Sequence, residues 1–504
     1  MRRLIRVARS AAVAALLLAT SATPASAASP TCTNPTVKCE VGQTSDGSTW
    51  KIEVPPEWNG TLLVYSHGYV PPTGPNPPAD DAADRLVADY LLAHGFALAG
   101  SSYASAGWAV ADAFADQEAV LRQFQRDFGR PKATIAWGHS MGGMITAGLL
   151  QLHPSQFAGG LAMCGLLGGG IGLWNTNLDL EVAFKTLMLR DPNPAVSQPA
   201  AKLVVTHVQD ADANVSNAEA ALAAAQATPQ GRARIALAAA MIDLPSWFST
   251  ATPEPGSTDY ATWEQNQFQA LQIQLVFVFG FRQELEARAG GNPTWNVGVD
   301  YAAQLRKSAD RTEVRALYQA AGLDLDADLA AIGATSRVRP DRNAARYLER
   351  NVVFNGNLHI PLLTMHTTSD FLVPFQHEQA FAAAVAGAKR SELLRQVFVH
   401  RPGHCTFTAA ETLTALNVLL DRLKTGSWHE TGSPAALNAA ATSFGPAYNV
   451  LLPAPGAPPL PTPPAFAKAR PSRFLRPFTL PPGGHSIVPG GSPGQGPLAR
   501  AGRG

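Results

Sequence analysis

The chain has 504 residues, 46% hydrophobic and 15% charged, with 39 basic against 38 acidic side chains and a formal charge of +1. That is enough apolar material for a large core and, on length alone, for two or three domains. The low charge content, against an ordinary fraction of about 25%, excludes a coiled coil, and the even balance leaves no electrostatic footprint for nucleic acid.

Taken in chain order, the first element is an export signal. Arg2, Arg3, Arg6 and Arg9 precede a short apolar run, Ala11 to Ala19, and the small-residue site Ala25-Ser26-Ala27. The pattern predicts a secretory signal peptide over 1–27, hence a secreted protein, and the run is too short to span a bilayer. Its removal takes away four Arg and no acid, leaving a formal charge of −3. No second stretch predicts a transmembrane segment. In an exported chain the four cysteines, Cys32, Cys39, Cys164 and Cys405, predict disulfides. Cys32 and Cys39 bracket the turn Thr33-Asn34-Pro35 and are expected to pair. The spacings match no zinc pattern, so neither a metal nor a cofactor is expected.

Residues 28–48 read as a polar lead-in. Trp50 to Val54 alternates and predicts a strand, with Asn59-Gly60 as a hairpin turn into a second strand, Leu62 to Ser66, which ends in His67-Gly68-Tyr69. The pattern then predicts a helix over 82–94, a strand over 96–100, a helix over 111–128, a strand over 133–137, a helix over 144–152 and a strand over 159–164. Such alternation implies an α/β fold: a mostly parallel sheet with helices on both faces. From 166 to 356 the alternation breaks. Helical patterns appear at 218–227, 233–241, 263–278, 301–308, 313–321 and 342–350, which predicts a helical cap or lid insertion. Alternation resumes with a strand over 360–366, a helix over 374–386, a strand over 395–400 and a helix over 408–424. Residues 28–165 and 357–447 are thus expected to form one catalytic domain around the cap. Residues 448–504 are Pro/Gly-rich, with Lys468, Arg470, Arg473, Arg476, Arg500 and Arg503 and no acid. This basic tail is expected to be disordered and available for weak contact with an anionic surface.

The chemistry gathers at strand ends. Gly138-His139-Ser140-Met141-Gly142 lies between a strand and a helix, the context of a nucleophile elbow. A serine hydroxyl needs a base, and the base needs an orienting carboxylate. Asp370 lies just past the strand ending at His366, and His404 just past the strand ending at His400. Residues beyond the carboxyl ends of parallel strands converge on one sheet edge.

Four stretches carry a family resemblance: Gly138-His139-Ser140-Met141-Gly142, Ser369-Asp370 followed by Leu372-Val373-Pro374, Gly403-His404, and His67-Gly68. Over roughly residues 50–165 and 357–425 the sequence resembles the α/β-hydrolase superfamily, as a secreted bacterial serine hydrolase of esterase or lipase type with a large cap. The resemblance implies Ser140 as nucleophile, His404 as general acid/base, Asp370 as its orienter, and the backbone N–H groups of Tyr69 and Met141 as oxyanion hole. In that fold the loop carrying the histidine reaches back toward the serine, so a Cys164–Cys405 bond would pin it. Secreted feruloyl esterases and tannases are similar in placing a Cys after the catalytic His, but His139 stands where their partner Cys would be. His67 and His139 are expected to be structural, with His366 behind Asp370. Tyr103, Trp108 and Trp174 are the candidate pocket aromatics. The expected activity is hydrolysis of a small-molecule ester or acyl substrate through an acyl-enzyme. The alternatives are a capped, aminopeptidase-like serine peptidase, with Asp179, Glu181 or Asp300 gripping a substrate amine, and a non-catalytic wall-associated binding protein.

Overall fold

The apolar runs read as strands lie side by side in one sheet. The computed structural model describes residues 30–335, 337–351, 353–429, 432–451 and 458–476. The expected signal peptide and residues 477–504 lie outside the described residues. The strands are β1 (Lys38–Gln43), β2 (Thr49–Val54), β3 (Thr61–Ser66), β4 (Ala97–Ser101), β5 (Ala133–His139), β6 (Gly159–Met163), β7 (Leu362–Ser369), β8 (Leu394–Pro402), β9 (Val450–Leu451), β10 (Leu460–Pro461) and β11 (Phe466–Ala467). Nine of them join in the order β1-β2-β4-β3-β5-β6-β7-β8-β11, while β9 and β10 pair separately. From β4 through β8 along that order neighbouring strands are parallel, and the outer strands β1, β2 and β11 pair antiparallel.

Strand alternation divides the core between two faces. Leu62 and Val64 pack with the helices Val110–Phe128 and Met141–Leu152, whereas Leu63 and Tyr65 pack with the helices Arg85–Ala93 and Ala409–Thr425. Both sets are buried, which is why β3 reads as a continuous apolar run.

The hairpin expected at Asn59-Gly60 does not form. Gly60 does turn the chain, with φ 93°, but β4 lies between β2 and β3. The hairpin is instead β1–β2, turned through Asp46-Gly47, where Thr44 N donates to Ser48 O at 2.8 Å. β1 sits at the sheet edge with half-exposed polar side chains, so it has no apolar run to announce it.

The insertion between β6 and β7 is helical, as its composition implies, and has its own core, built around Phe184, Leu237, Leu271, Phe279 and Tyr318. Its first helix, Gly169–Leu189, is absent from the sequence expectation. Eighteen of its 21 residues are buried, so it has no polar face and no amphipathic period. Glu181, buried in it, meets Arg282 of the same insertion at 2.6 Å.

The tail departs from expectation as well. Residues 458–476 are ordered against the body: Phe466 pairs with Val399, and Phe474 and Leu475 are buried. Arg476 is not free for an anionic surface. It reaches Asp179 of the insertion at 2.6 Å and donates to Trp295 O at 2.7 Å. Buried Phe466, Phe474 and Leu475, the Arg476–Asp179 ion pair and backbone hydrogen bonds to side chains such as Asn438, Gln379 and Gln376 hold this strap, none of which registers in a Pro-rich composition. Among the described residues no helix is long and apolar enough to cross a membrane.

Candidate active site

Backbone crowding builds the elbow. A Cβ on Gly142 would lie 1.9 Å from Ser66 O, and one on Gly138 2.5 Å from the same atom, so only glycine fits either flank. Between them Ser140 is held at φ 58°, ψ −125°, a conformation that L-residues rarely adopt. Its N–H donates to Met163 O at 2.9 Å, and its carbonyl accepts from Gly143 and Met144 as the helix begins. Ser140 thus stands at a helix N-terminus, next to unpaired first-turn N–H groups.

Asp370 and His404 come to the same edge from β7 and β8. Asp370 Oδ1 accepts from the N–H groups of Leu372 and Val373, both at 2.9 Å. Its Oδ2 accepts from His404 Nδ1 at 2.7 Å, and His404 Nε2 lies 2.8 Å from Ser140 Oγ. With Nδ1–H turned to the carboxylate, Nε2 is left to accept from the serine hydroxyl. Burial would raise the Asp370 proton affinity, but His404 and His366 outweigh it and hold the carboxyl well below the usual range.

The loop carrying His404 is fastened at several points. Gly403 N donates to Ser369 O at 3.0 Å, and Thr367 Oγ1 donates to Gly403 O at 2.7 Å. Arg401 grips Glu411 with two bonds, at 2.7 and 2.9 Å, and Glu411 closes a capping box with Thr408. Cys405 is bonded to Cys164 at a Cα separation of 5.3 Å, and Cys32 is bonded to Cys39. Cys164, His404 and Cys405 crowd together, but the two sulfurs are joined to each other and offer no thiolate to an ion.

The segment expected to supply the second oxyanion donor lies against the serine. A Cβ on Gly68 would sit 3.2 Å from Ser140 Cβ and 3.7 Å from Oγ. Tyr69 follows, and Met141 is the first residue of the elbow helix.

The candidate pocket aromatics are packed inward. Tyr103, Trp108 and Trp174 are all buried in the core. Tyr103 stacks beneath His67 at 3.9 Å, and Trp108 packs edge-on against Trp174 at 5.7 Å. Hydrophobicity alone does not separate core aromatics from lining ones. A half-buried aromatic cluster forms instead around Tyr69, which follows the Gly68 backbone lying against Ser140. The Tyr69 ring lies 5.7 Å from Phe277 and 5.3 Å from Phe281, and those two are 4.9 Å apart. Phe277 lies in the π-helical turn Val276–Gly280 and Phe281 just beyond it. Such turns concentrate at functional sites, but nothing in a sequence announces one. On the Asp370 side Phe371 packs on Phe248 at 4.9 Å, and Gln274 donates to Phe371 O at 2.7 Å.

The acids considered for gripping an amine are engaged or remote from that task. Asp179 is bound by Arg476, Tyr301 and Gln304, and Glu181 by Arg282. Asp300 caps the helix Tyr301–Lys307 by accepting from Ala303 N. His139 is half-buried, with its proton affinity pushed down to about 3 by burial of its ring and then by His404.

Solved structures give distant likenesses. Feruloyl esterase B from Aspergillus oryzae is 13% identical with a TM-score of 0.37, over 77% of this chain and 80% of that one. An acylaminoacyl peptidase from Pyrococcus horikoshii is 9% identical with a TM-score of 0.35, over 73% of this chain, which spans only 38% of that protein. A curated relative is nearer: an o-phthalyl amidase from Xanthobacter agilis, 28% identical over 424 residues, 80% of this chain and 90% of that one. The family model described as alpha/beta hydrolase fold matches residues 77–407, and the chain belongs to that family.

Proposed function

We propose that the chain is a serine hydrolase that cleaves carboxylic esters through an acyl-enzyme on Ser140. The observation that carries the reading is the hydrogen-bonded line Ser140–His404–Asp370, with the serine raised on a strained elbow. His404 Nε2 takes the hydroxyl proton as Ser140 Oγ bonds to the substrate carbonyl carbon. The N–H groups of Met141 and Tyr69 receive the oxyanion, where one donor is worth roughly 2.7–4 kcal/mol. His404 then returns the proton to the leaving oxygen as the carbon–oxygen bond breaks. Water repeats the sequence and releases the acid. Asp370 orients His404 throughout and stabilises its protonated form.

The acyl group we assign to this site is a small aromatic one. Tyr69 follows the Gly68 backbone that lies against the serine and forms a half-buried cluster with Phe277 and Phe281, and aromatic rings at such spacing favour a further ring among them. A second reading, amide cleavage by the same steps, is favoured by the relative named an o-phthalyl amidase. An aminopeptidase reading has no support from Asp179 or Glu181, which are bound to cations of the chain itself. The test is a panel of p-nitrophenyl acetate, butyrate, octanoate and benzoate beside benzoyl and phthalyl amides. Highest kcat/KM on the benzoate supports the ester reading, and preference for the aromatic amides moves the protein to the second. Preference for octanoate, or no turnover on any, would refute the aromatic assignment.

A further inference from the structure

Behind Asp370 lies a second histidine that the steps above do not use. His366, on β7, is fully buried. Its Nδ1 lies 3.3 Å from Glu378 Oε1, and its Nε2 lies 3.0 Å from Val373 O and 3.4 Å from Asp370 Oδ2. Each ring nitrogen therefore faces acceptors only. A neutral imidazole has one N–H and would set a lone pair against a carboxylate or a carbonyl, which is unfavourable in a buried site. An imidazolium satisfies both sides.

The surroundings agree. Glu378 also accepts from Thr364 Oγ1 at 2.6 Å and from Gln396 Nε2, so it is fixed as an acceptor. The groups facing His366 are Asp370 from the loop after β7, Glu378 and His377 from the helix Gln376–Gly387, and, across Asp370, His404 from the loop after β8. His377 is neutral, because burial pushes its proton affinity down to about 3. Burial works against a charged His366 too, but hydrogen bonds and charge from Asp370 and Glu378 prevail and push it up to about 10.

The geometry points to His366 as a positioning residue: a buried imidazolium, braced by Glu378, that fixes the Asp370 carboxylate on His404 and restrains how readily His404 takes a proton. The catalytic line thus extends inward as Ser140–His404–Asp370–His366–Glu378. A cation one carboxylate away from His404 works against a second positive charge there, and removing it relieves that opposition. Removing Glu378 instead leaves the cation less compensated, which has the opposite effect.

Two variants separate these signs. His366→Gln keeps a donor but loses the charge, and the acid limb of its kcat/KM profile should move up by about one pH unit, the order of effect of a nearby unit charge in a protein interior. Glu378→Gln keeps an acceptor for Nδ1–H, and its acid limb should move down by about half a unit. A merely structural role would lower kcat in both and leave the limbs in place, and that result would overturn the proposal, as would shifts of the same sign. If His366→Gln fails to fold, Glu378→Gln alone decides: a downward limb supports the proposal, and an unmoved or upward limb overturns it. The inference rests on Ser140 being the nucleophile, so each protein is also labelled with a fluorophosphonate. Failure to label the wild type would refute that reading, whereas normal labelling with unmoved limbs would refute this one alone.

Discussion

Replacing Cys164 and Cys405 together by Ala should cost stability far more than activity. The bond closes a separation of 241 residues. The chain-entropy relation for a loop of that length gives a ceiling of about 5 kcal/mol, and native disulfides usually return about 2–5. Around 3 kcal/mol corresponds to a fall in Tm of roughly 3 °C for a chain this large, at about 2.1 cal/mol/K of unfolding entropy per residue. Catalysis should suffer less, because the loop bearing His404 keeps its other fastenings. Gly403 remains bonded to Ser369 and Thr367 on either side of its peptide, and Arg401 remains forked onto Glu411. His404 itself remains bonded to Asp370 at 2.7 Å. The double variant should therefore retain kcat/KM within about tenfold of wild type at 25 °C, where about 1.4 kcal/mol is the corresponding barrier change. Thermal unfolding and ester kinetics on the same preparation test this. A hundredfold loss of kcat/KM with Tm unchanged would refute the reasoning, since the disulfide would then be aligning His404 rather than stabilising the fold.

Three further outcomes follow from named contacts. Arg476→Ala leaves Asp179 buried without its cation and should cost about 3–5 kcal/mol, while Arg470→Ala, exposed on the same strap, should leave thermal unfolding unchanged. Phe281→Ala should lower kcat/KM on the benzoate ester about tenfold or more relative to the acetate, as loss of one aromatic contact of about 1.5 kcal/mol or more requires; equal losses on both would remove Phe281 from the pocket. Glu313, buried against Gln267, has its proton affinity pushed up to about 8 by burial. A carboxyl raised in the folded state supports stability fully below its unfolded value near 4.3, and that support is lost as pH rises through about 8. Glu313→Gln should therefore raise Tm at pH 9 and not at pH 4, measured by scanning calorimetry.

Much of the framework was legible in the sequence, for physical reasons that also explain the rest. β3, β4, β5 and β6 are central parallel strands, and burial on both faces writes itself as an apolar run. The elbow was legible because Gly138 and Gly142 are forced by contact with Ser66 O, and a forced residue leaves a motif. Asp370 and His404 could be located because parallel strands deliver their carboxyl ends to one edge. The helix Gly169–Leu189 was not legible, since a helix buried all round carries no period. Nor was the strap over 458–476, whose anchoring rests on single residues such as Arg476 meeting a cap residue 297 positions away. The depth of burial of Tyr103, Trp108 and Trp174 was not legible for a related reason. Trp108 and Phe281 are both large aromatics, and only the fold decides which is buried in the core and which stands half-buried against Tyr69.

The central claim is that Ser140 carries the acyl group, and it can be observed directly. The protein would be mixed with p-nitrophenyl benzoate, quenched in acid within the burst phase, digested and analysed by mass spectrometry. The account predicts a benzoyl adduct on the peptide containing Ser140, and neither adduct nor turnover in a folded Ser140→Ala variant. An adduct on another residue, or turnover by Ser140→Ala at the wild-type rate, would contradict it.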